Sequence, residues 1–123
     1  MPLAKNALDN SHNPEPTPYA PLLAKFFRGL GDPTRLRILE LLLDQKRTVK
    51  ELVALIGTSQ SQISNHLACL KWCGYVSTRS QGRFVYYSVG DPRVRDLIGL
   101  GRSILADNIE RVCDCTRITE EKR

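Results

Sequence analysis

Four cysteines in two close pairs, Cys69 with Cys73 and Cys113 with Cys115, are the residues of this sequence best equipped to do chemistry. A spacing of four on a helix puts two sulfurs on one face, one turn apart, where they can share an ion. At about 100° per residue, Cys69 falls roughly 120° and Cys73 roughly 80° from the apolar stripe of Ile63, Leu67 and Leu70. Neither sulfur sits where that stripe points, which argues against reading the pair as small core residues. Cys113-Asp114-Cys115 follows the last apolar residue of a closing helix and offers further thiolates, from the same chain or from a second copy. An all-thiolate site favours the soft ions cadmium, lead and mercury over zinc or copper(I), and excludes hard ions that need oxygen. Each ligating thiol has to lose a proton, so capture weakens in acid. The alternative is thiol redox or reactive-sulfur chemistry without metal. A disulfide between helical i and i+4 positions needs strain or unwinding, which leaves intersubunit bridging through Cys113 or Cys115.

A second set of residues points to DNA. The segment TSQSQISNHLACLKWCG exposes Ser59, Gln60, Ser61, Gln62, Ser64, Asn65 and His66 on the half opposite its apolar stripe. A merely solvated helix favours Lys and Glu, which have higher helix propensity. Gln and Asn pair bidentately with adenine, and Ser reaches bases or phosphates. Gln60, Ser61, Gln62 and Asn65 are the expected major-groove readers. His66, beside the stripe, suits a satisfied core position or a phosphate contact better than metal ligation. Arg79 and Arg83 flank Gln81-Gly82 at a hairpin tip and can reach phosphate or the minor groove. Arg35, Arg37, Lys46, Arg47 and Lys50 are further candidates for neutralising the DNA backbone.

The elements that position these groups are legible in order. Leu22, Leu23, Phe26, Phe27 and Leu30 recur at helical spacing until Gly29 and Gly31. Asp32-Pro33 opens a second helix, Asp as N-cap and Pro at the first helical position, with Leu36, Ile38, Leu39, Leu42 and Leu43 as its apolar face. Thr48 to Ile56 is a short third helix with Thr48 and Glu51 as a capping box and Leu52 and Leu55 inward. After the turn at Gly57-Thr58, a fourth helix runs from Ser59 to Cys73 and stops at Gly74. Strands are expected at Tyr75 to Arg79 and Phe84 to Val89. Asp91-Pro92 starts a last helix to about Val112, striped by Val94, Leu97, Ile98, Gly101, Leu105, Ile109 and Val112. The fold class is therefore mainly α with a β-hairpin wing, a winged helix-turn-helix in the order α1-α2-α3-α4-β1-β2-α5. The first and last helices are apolar beyond what the core needs, so a homodimer through them is expected, with Gly99 and Gly101 leaving room for close approach. Two copies related by a two-fold read half-sites about 34 Å apart.

Length and composition set the bounds. The 123 residues allow one core, residues 19–115, with residues 1–18 as a flexible proline-rich arm and 116–123 as a C-terminal tail. A net charge of +5 biases the chain toward acidic partners, of which double-stranded operator DNA fits the motifs. No apolar run approaches the ~20 residues of a membrane span, and the polar N-terminus lacks a secretory apolar stretch, so a cytoplasmic protein without a membrane partner is expected. No phosphate loop, nucleophile elbow or HExxH motif is present, and two histidines are little acid–base machinery. Neither an enzyme nor a small-molecule substrate is expected. A constitutive architectural DNA binder is the remaining alternative, recognisable by little sequence preference.

LGDPTRLRILELL, ELVALIGTSQSQISNHLACLKWCGYV, the wing RSQGRFVYYSV and the helix after DPRV together resemble the ArsR/SmtB family of metal-responsive repressors over about residues 22–112. The resemblance implies repression of metal-detoxification genes, relieved when metal binds. Family members that use Asp and His on the closing helix are not matched, since that helix has Asp91, Asp96, Asp107 and Glu110 but no histidine. The Cys-Val-Cys and arsenic-type patterns in the recognition helix are absent too. Cys69-Leu70-Lys71-Trp72-Cys73 with a tail cysteine is similar to the cadmium/lead-sensing actinobacterial subgroup. That likeness implies Cys69, Cys73 and Cys113 or Cys115 as ligands.

Overall fold

The computed structural model describes residues 19–115; the expected arm and tail lie outside the described residues. Helix α1 spans Ala20–Arg28, α2 Pro33–Asp44, α3 Val49–Ile56 and α4 Gln60–Trp72; strands β1 Ser77–Gln81 and β2 Phe84–Ser88 form the wing, and α5 runs Pro92–Asp114. This is the winged helix-turn-helix expected from the order of motifs. No helix among the described residues is long and apolar enough to cross a membrane.

Local chemistry sets the helix starts. The Asp32 carboxylate accepts from Arg35 N at 3.0 Å, with Pro33 opening α2. Thr48 Oγ1 accepts from Glu51 N at 3.2 Å while Glu51 Oε1 accepts from Thr48 N at 2.9 Å, so the capping box is complete. These contacts hold the Glu51 carboxyl below its ordinary range, the Thr48 backbone N–H being the largest cause. Asp91 caps α5 through Arg93 N at 2.9 Å. Gly57 and Gly74 end α3 and α4 at φ 83° and 89°, a left-handed conformation that costs glycine nothing.

Ile38, Leu39 and Leu42 of α2, Leu52 of α3 and Ile63, Leu67 and Leu70 of α4 meet in one buried core, closed by Tyr75, Val76, Val94 and Ile98. Two expectations fail here. Leu55 is half-exposed. The core arc of α3 is taken by Val49, Leu52, Val53 and Ile56, and Leu55 lies about 60° beyond Leu52, outside that arc. Strand β1 begins at Ser77, not Tyr75: Tyr75 and Val76 are buried in the core, and Tyr75 N donates to Leu70 O at 2.9 Å as the chain leaves α4.

The wing pairs antiparallel with Ser77 opposite Ser88 and Gln81 opposite Phe84, so its two-residue tip is Gly82-Arg83. Arg47 adds a short third rung, exchanging backbone hydrogen bonds with Tyr87 at 3.0 and 2.8 Å. Helix α5 is tied across to α2 by the Arg102–Glu40 ion pair and by Arg95 Nη2 donating to Leu43 O at 2.7 Å. It kinks at Asn108, whose backbone is non-helical (φ −129°, ψ 15°) and whose side-chain amide donates to Ile104 O at 2.8 Å. Along its stripe only Val94 and Ile98 are buried, while Leu105, Ile109 and Val112 remain exposed, as do Leu22, Leu23 and Phe27 of α1. Between α1, α2 and α5 runs an apolar groove of about 620 Å³ walled by Phe27, Leu30, Leu36, Leu97 and Leu105.

Candidate metal centre and nucleic-acid interface

The buried stripe Ile63, Leu67 and Leu70 fixes the rotation of α4 and decides what its other faces present. Gln60, Ser61, Gln62, Ser64 and Asn65 are all exposed along its N-terminal half. Ser59 is the N-cap and accepts from Gln62 N at 3.2 Å, and Thr58 Oγ1 hydrogen-bonds Gln62 Oε1. The free N–H groups of such a helix start favour an anion, a phosphate included. Arg79 and Arg83 are exposed on the wing. Lys46 braces the wing, donating to Gln81 Oε1 at 2.6 Å and lying 4.8 Å from the centre of the Tyr86 ring.

His66 is turned away from this row. Its Nδ1 faces Arg35 Nη1 at 3.5 Å, and its Nε2 stands 4.0 Å from Asp32 Oδ2. Arg47 is not a surface cation: it is buried, donating to Leu41 O at 3.1 Å and pairing with Asp44 at 3.0 Å. Its guanidinium satisfies one carbonyl and one carboxylate at the end of α2, a use the sequence gives no sign of.

At the other end of α4, Cys69 and Cys73 come together. Both are half-buried, and Cys73 N donates to Cys69 O at 3.0 Å, one turn apart on the same helix. Burial pushes the Cys73 thiol up; the neighbouring Cys69 adds to this, and the cationic Lys25 and Arg35 pull it down. Cys73 packs against the α1–α2 junction. A side chain at Gly29 would begin 3.0 Å from the Tyr75 ring and 3.1 Å from the Phe26 carbonyl oxygen, so glycine is what lets the ring approach, while Cys73 Sγ, 3.7 Å from that position, lies at ordinary contact distance. Tyr75 stacks on Phe26 with ring centres 4.6 Å apart and donates its hydroxyl to Phe26 O at 2.6 Å. A cleft of about 450 Å³ bounded by Phe26, Asp91, Val94 and Leu97 opens beside Cys73.

Cys113 is exposed and Cys115 half-buried at the far end of α5. The structure does not bring them to Cys69 and Cys73, and among the described residues no group of three or more His, Cys, Asp or Glu is placed to hold an ion. The described residues thus supply two neighbouring sulfurs on one helix face and no third donor beside them. That donor set fits a soft ion that tolerates few ligands or takes the rest from elsewhere, and does not fit a hard one. Trp72, between the two cysteines, is 91% exposed, a large apolar surface that sequence patterning did not single out. Its position off the core stripe was the available sign.

A family model described as bacterial regulatory protein, arsR family, matches residues 32–78, from the cap of α2 into β1. The chain is 52% identical over 98 residues to a Streptomyces lividans protein named probable mercury resistance operon repressor, covering 80% of this chain and 78% of that one. It is similar to the solution structure of the cadmium metal-sensor CMTR from Mycobacterium tuberculosis, with TM-score 0.55 and 43% identity over 63% of this chain and 79% of that one. It is also similar to a homodimeric winged helix-turn-helix DNA-binding domain from Mycobacterium bovis, a possible ArsR-family regulator, with TM-score 0.65 and 29% identity over 78% of this chain and 91% of that one.

Proposed function

We propose that this chain, which belongs to the ArsR family of bacterial regulatory proteins, is a cytoplasmic homodimeric repressor that leaves an inverted-repeat operator when Cys69 and Cys73 hold a soft metal ion. As a family member it is a DNA-binding transcription regulator and not an enzyme. One observation carries the finer reading. The two thiols, one turn apart, sit at the C-terminal end of the same helix whose N-terminal half exposes Gln60, Ser61, Gln62, Ser64 and Asn65.

The DNA contacts divide by chemistry. Gln60, Ser61, Gln62, Ser64 and Asn65 read base edges, while Ser59 and the N-terminus of α4 meet phosphate. Arg79 and Arg83 extend the contact along the backbone or into the minor groove. The exposed apolar faces of α1 and α5, with the groove between them, support a second copy as their cover. In such a dimer Cys113 or Cys115 serves as a further ligand, from the same chain or from the second copy.

Cadmium, lead and mercury are the ions this donor set favours, zinc less so. Bound there, such an ion would bridge the Cys69 and Cys73 thiolates through two metal–sulfur bonds and fix the end of α4. The chain's own part is to release thiol protons, hold the ion beside Gly29, and pass the resulting displacement along the helix. Each ~1.4 kcal/mol of coupling is a tenfold change in operator affinity, and couplings of about 1–3 kcal/mol are ordinary. By reciprocity, DNA weakens ion capture equally. The test is an anaerobic, reducing titration with cadmium, lead and mercury. Intense ultraviolet thiolate-to-metal absorption that Cys69→Ser abolishes supports the reading; its absence in the unaltered protein leaves thiol redox control in its place.

A further inference from the structure

The face of α4 that carries the thiols also carries His66. Seven residues separate His66 from Cys73, which places them nearly in line and about 10 Å apart along the helix. A closed path joins them through the α1–α2 junction. Cys73 Sγ lies against Gly29. The Gly29 carbonyl accepts Arg35 Nε at 2.7 Å, and the Arg28 carbonyl accepts Arg35 Nη2 at 3.0 Å. The remaining guanidinium nitrogen, Nη1, faces His66 Nδ1 at 3.5 Å. On the other side of the ring, His66 Nε2 stands 4.0 Å from the Asp32 carboxylate that caps α2.

We propose that Arg35 and His66 are the positioning pair that carries the state of Cys69 and Cys73 to the DNA-facing half of α4. The inference rests on the reading above that those thiols take the effector ion. The chemistry fixes the arrangement. Arginine has only donors, so in a hydrogen bond between them His66 Nδ1 is the acceptor, with Nε2 left on the side of the Asp32 carboxylate. Two arms of a rigid guanidinium fork are committed to the backbone of the α1–α2 junction, so Arg35 cannot follow α4 if the helix shifts. Widening the contact between Cys73 and Gly29 moves the carbonyls that hold Arg35. The contact to His66, already at the long limit of a hydrogen bond, parts first. The rotation of α4 then loses its brace midway between the thiols and Ser59.

The experiment measures one ratio, the dissociation constant for a duplex from upstream of the protein's own gene with and without cadmium(II), and again with mercury(II). The unaltered dimer is expected to give a ratio of at least tenfold for one of them. His66→Ala, which removes the brace outright, is expected to bind the ion-free duplex nearly as weakly as the unaltered protein binds it with ion, so that the ratio falls below threefold, while thiolate-to-metal absorption changes by less than threefold. His66→Asn, whose Oδ1 falls near the position of Nδ1, is expected to restore most of the response. Arg35→Lys keeps the charge, loses the fork, and is expected to fail like His66→Ala, which gives a second reading should the alanine variant melt. A His66→Ala protein with an unaltered ratio overturns the proposal. So does one that loses operator affinity equally with and without ion, since His66 would then be a phosphate contact. If the unaltered protein binds ion at Cys69 and Cys73 yet shows no ratio, the proposed function fails first, and the relay with it.

Discussion

Replacing Gly29 by alanine tests the packing that holds the thiols in place. Gly29 has a right-handed helical backbone, so alanine meets no φ strain there. Alanine is also the better helix former, by about 1 kcal/mol. On propensity alone the change would stabilise. The space says otherwise. The new Cβ would lie 3.0 Å from Tyr75 Cε2 and 3.1 Å from the Phe26 carbonyl oxygen. Tyr75 cannot step back, because its ring is 1% exposed, stacked on Phe26 and tied by its hydroxyl to that same carbonyl. Forcing a methyl into such packing costs about 1–3 kcal/mol. With the propensity gain subtracted from the middle of that range, net destabilisation of roughly 1 kcal/mol, some 4–8 °C in Tm for a domain of this size, is expected. Thermal unfolding followed by circular dichroism at fixed dimer concentration measures it. A Tm unchanged or raised in Gly29→Ala would refute the reasoning and show that the α1–α2 junction yields freely.

Further outcomes follow from single groups. Tyr75 is pushed up to about 12, by burial first and then by Cys73 and Cys69. Its folded value thus lies above its unfolded one, so the stabilisation is complete below about pH 10 and lost as pH rises toward 12, roughly 3 kcal/mol in all. Alkaline melts of Tyr75→Phe should lack that loss, and equal pH slopes for the two proteins would contradict it. Arg79→Ala and Arg83→Ala should each weaken binding to every sequence alike and flatten the log–log salt slope by about 1; a change confined to one base position would instead make the residue a base reader. Trp72 is the sole tryptophan and stands next to Cys73. Its emission should be quenched on mercury addition and left unchanged in Cys69→Ser/Cys73→Ser.

What the sequence displays is what local chemistry decides. Asp32-Pro33, the Thr48–Glu51 box and Gly74 announce helix boundaries because cap and turn partners lie within a few residues. The stripe Ile63, Leu67 and Leu70 locates α4, and the polar row beside it follows from the same periodicity. Elements whose fate depends on distant chain were less legible. Tyr75 has strand propensity, but its place is set by Phe26, 49 residues away. Arg47 looks like any surface cation until the end of α2 and β2 close around it. Leu55 is apolar and amphipathically placed, yet a two-turn helix has only one narrow buried arc. Cys69 and Cys73 were recognisable as a pair from spacing alone. Their contact with Gly29, and the circuit through Arg35 to His66, required three elements to be placed in space.

The most direct test compares operator release by the unaltered protein and by Cys69→Ser/Cys73→Ser, each on the same duplex and titrated with the same ion. The unaltered protein is expected to dissociate at least tenfold more readily once the ion is added, while the double variant binds the duplex as well as before and stays bound. Equal release from both proteins would contradict it.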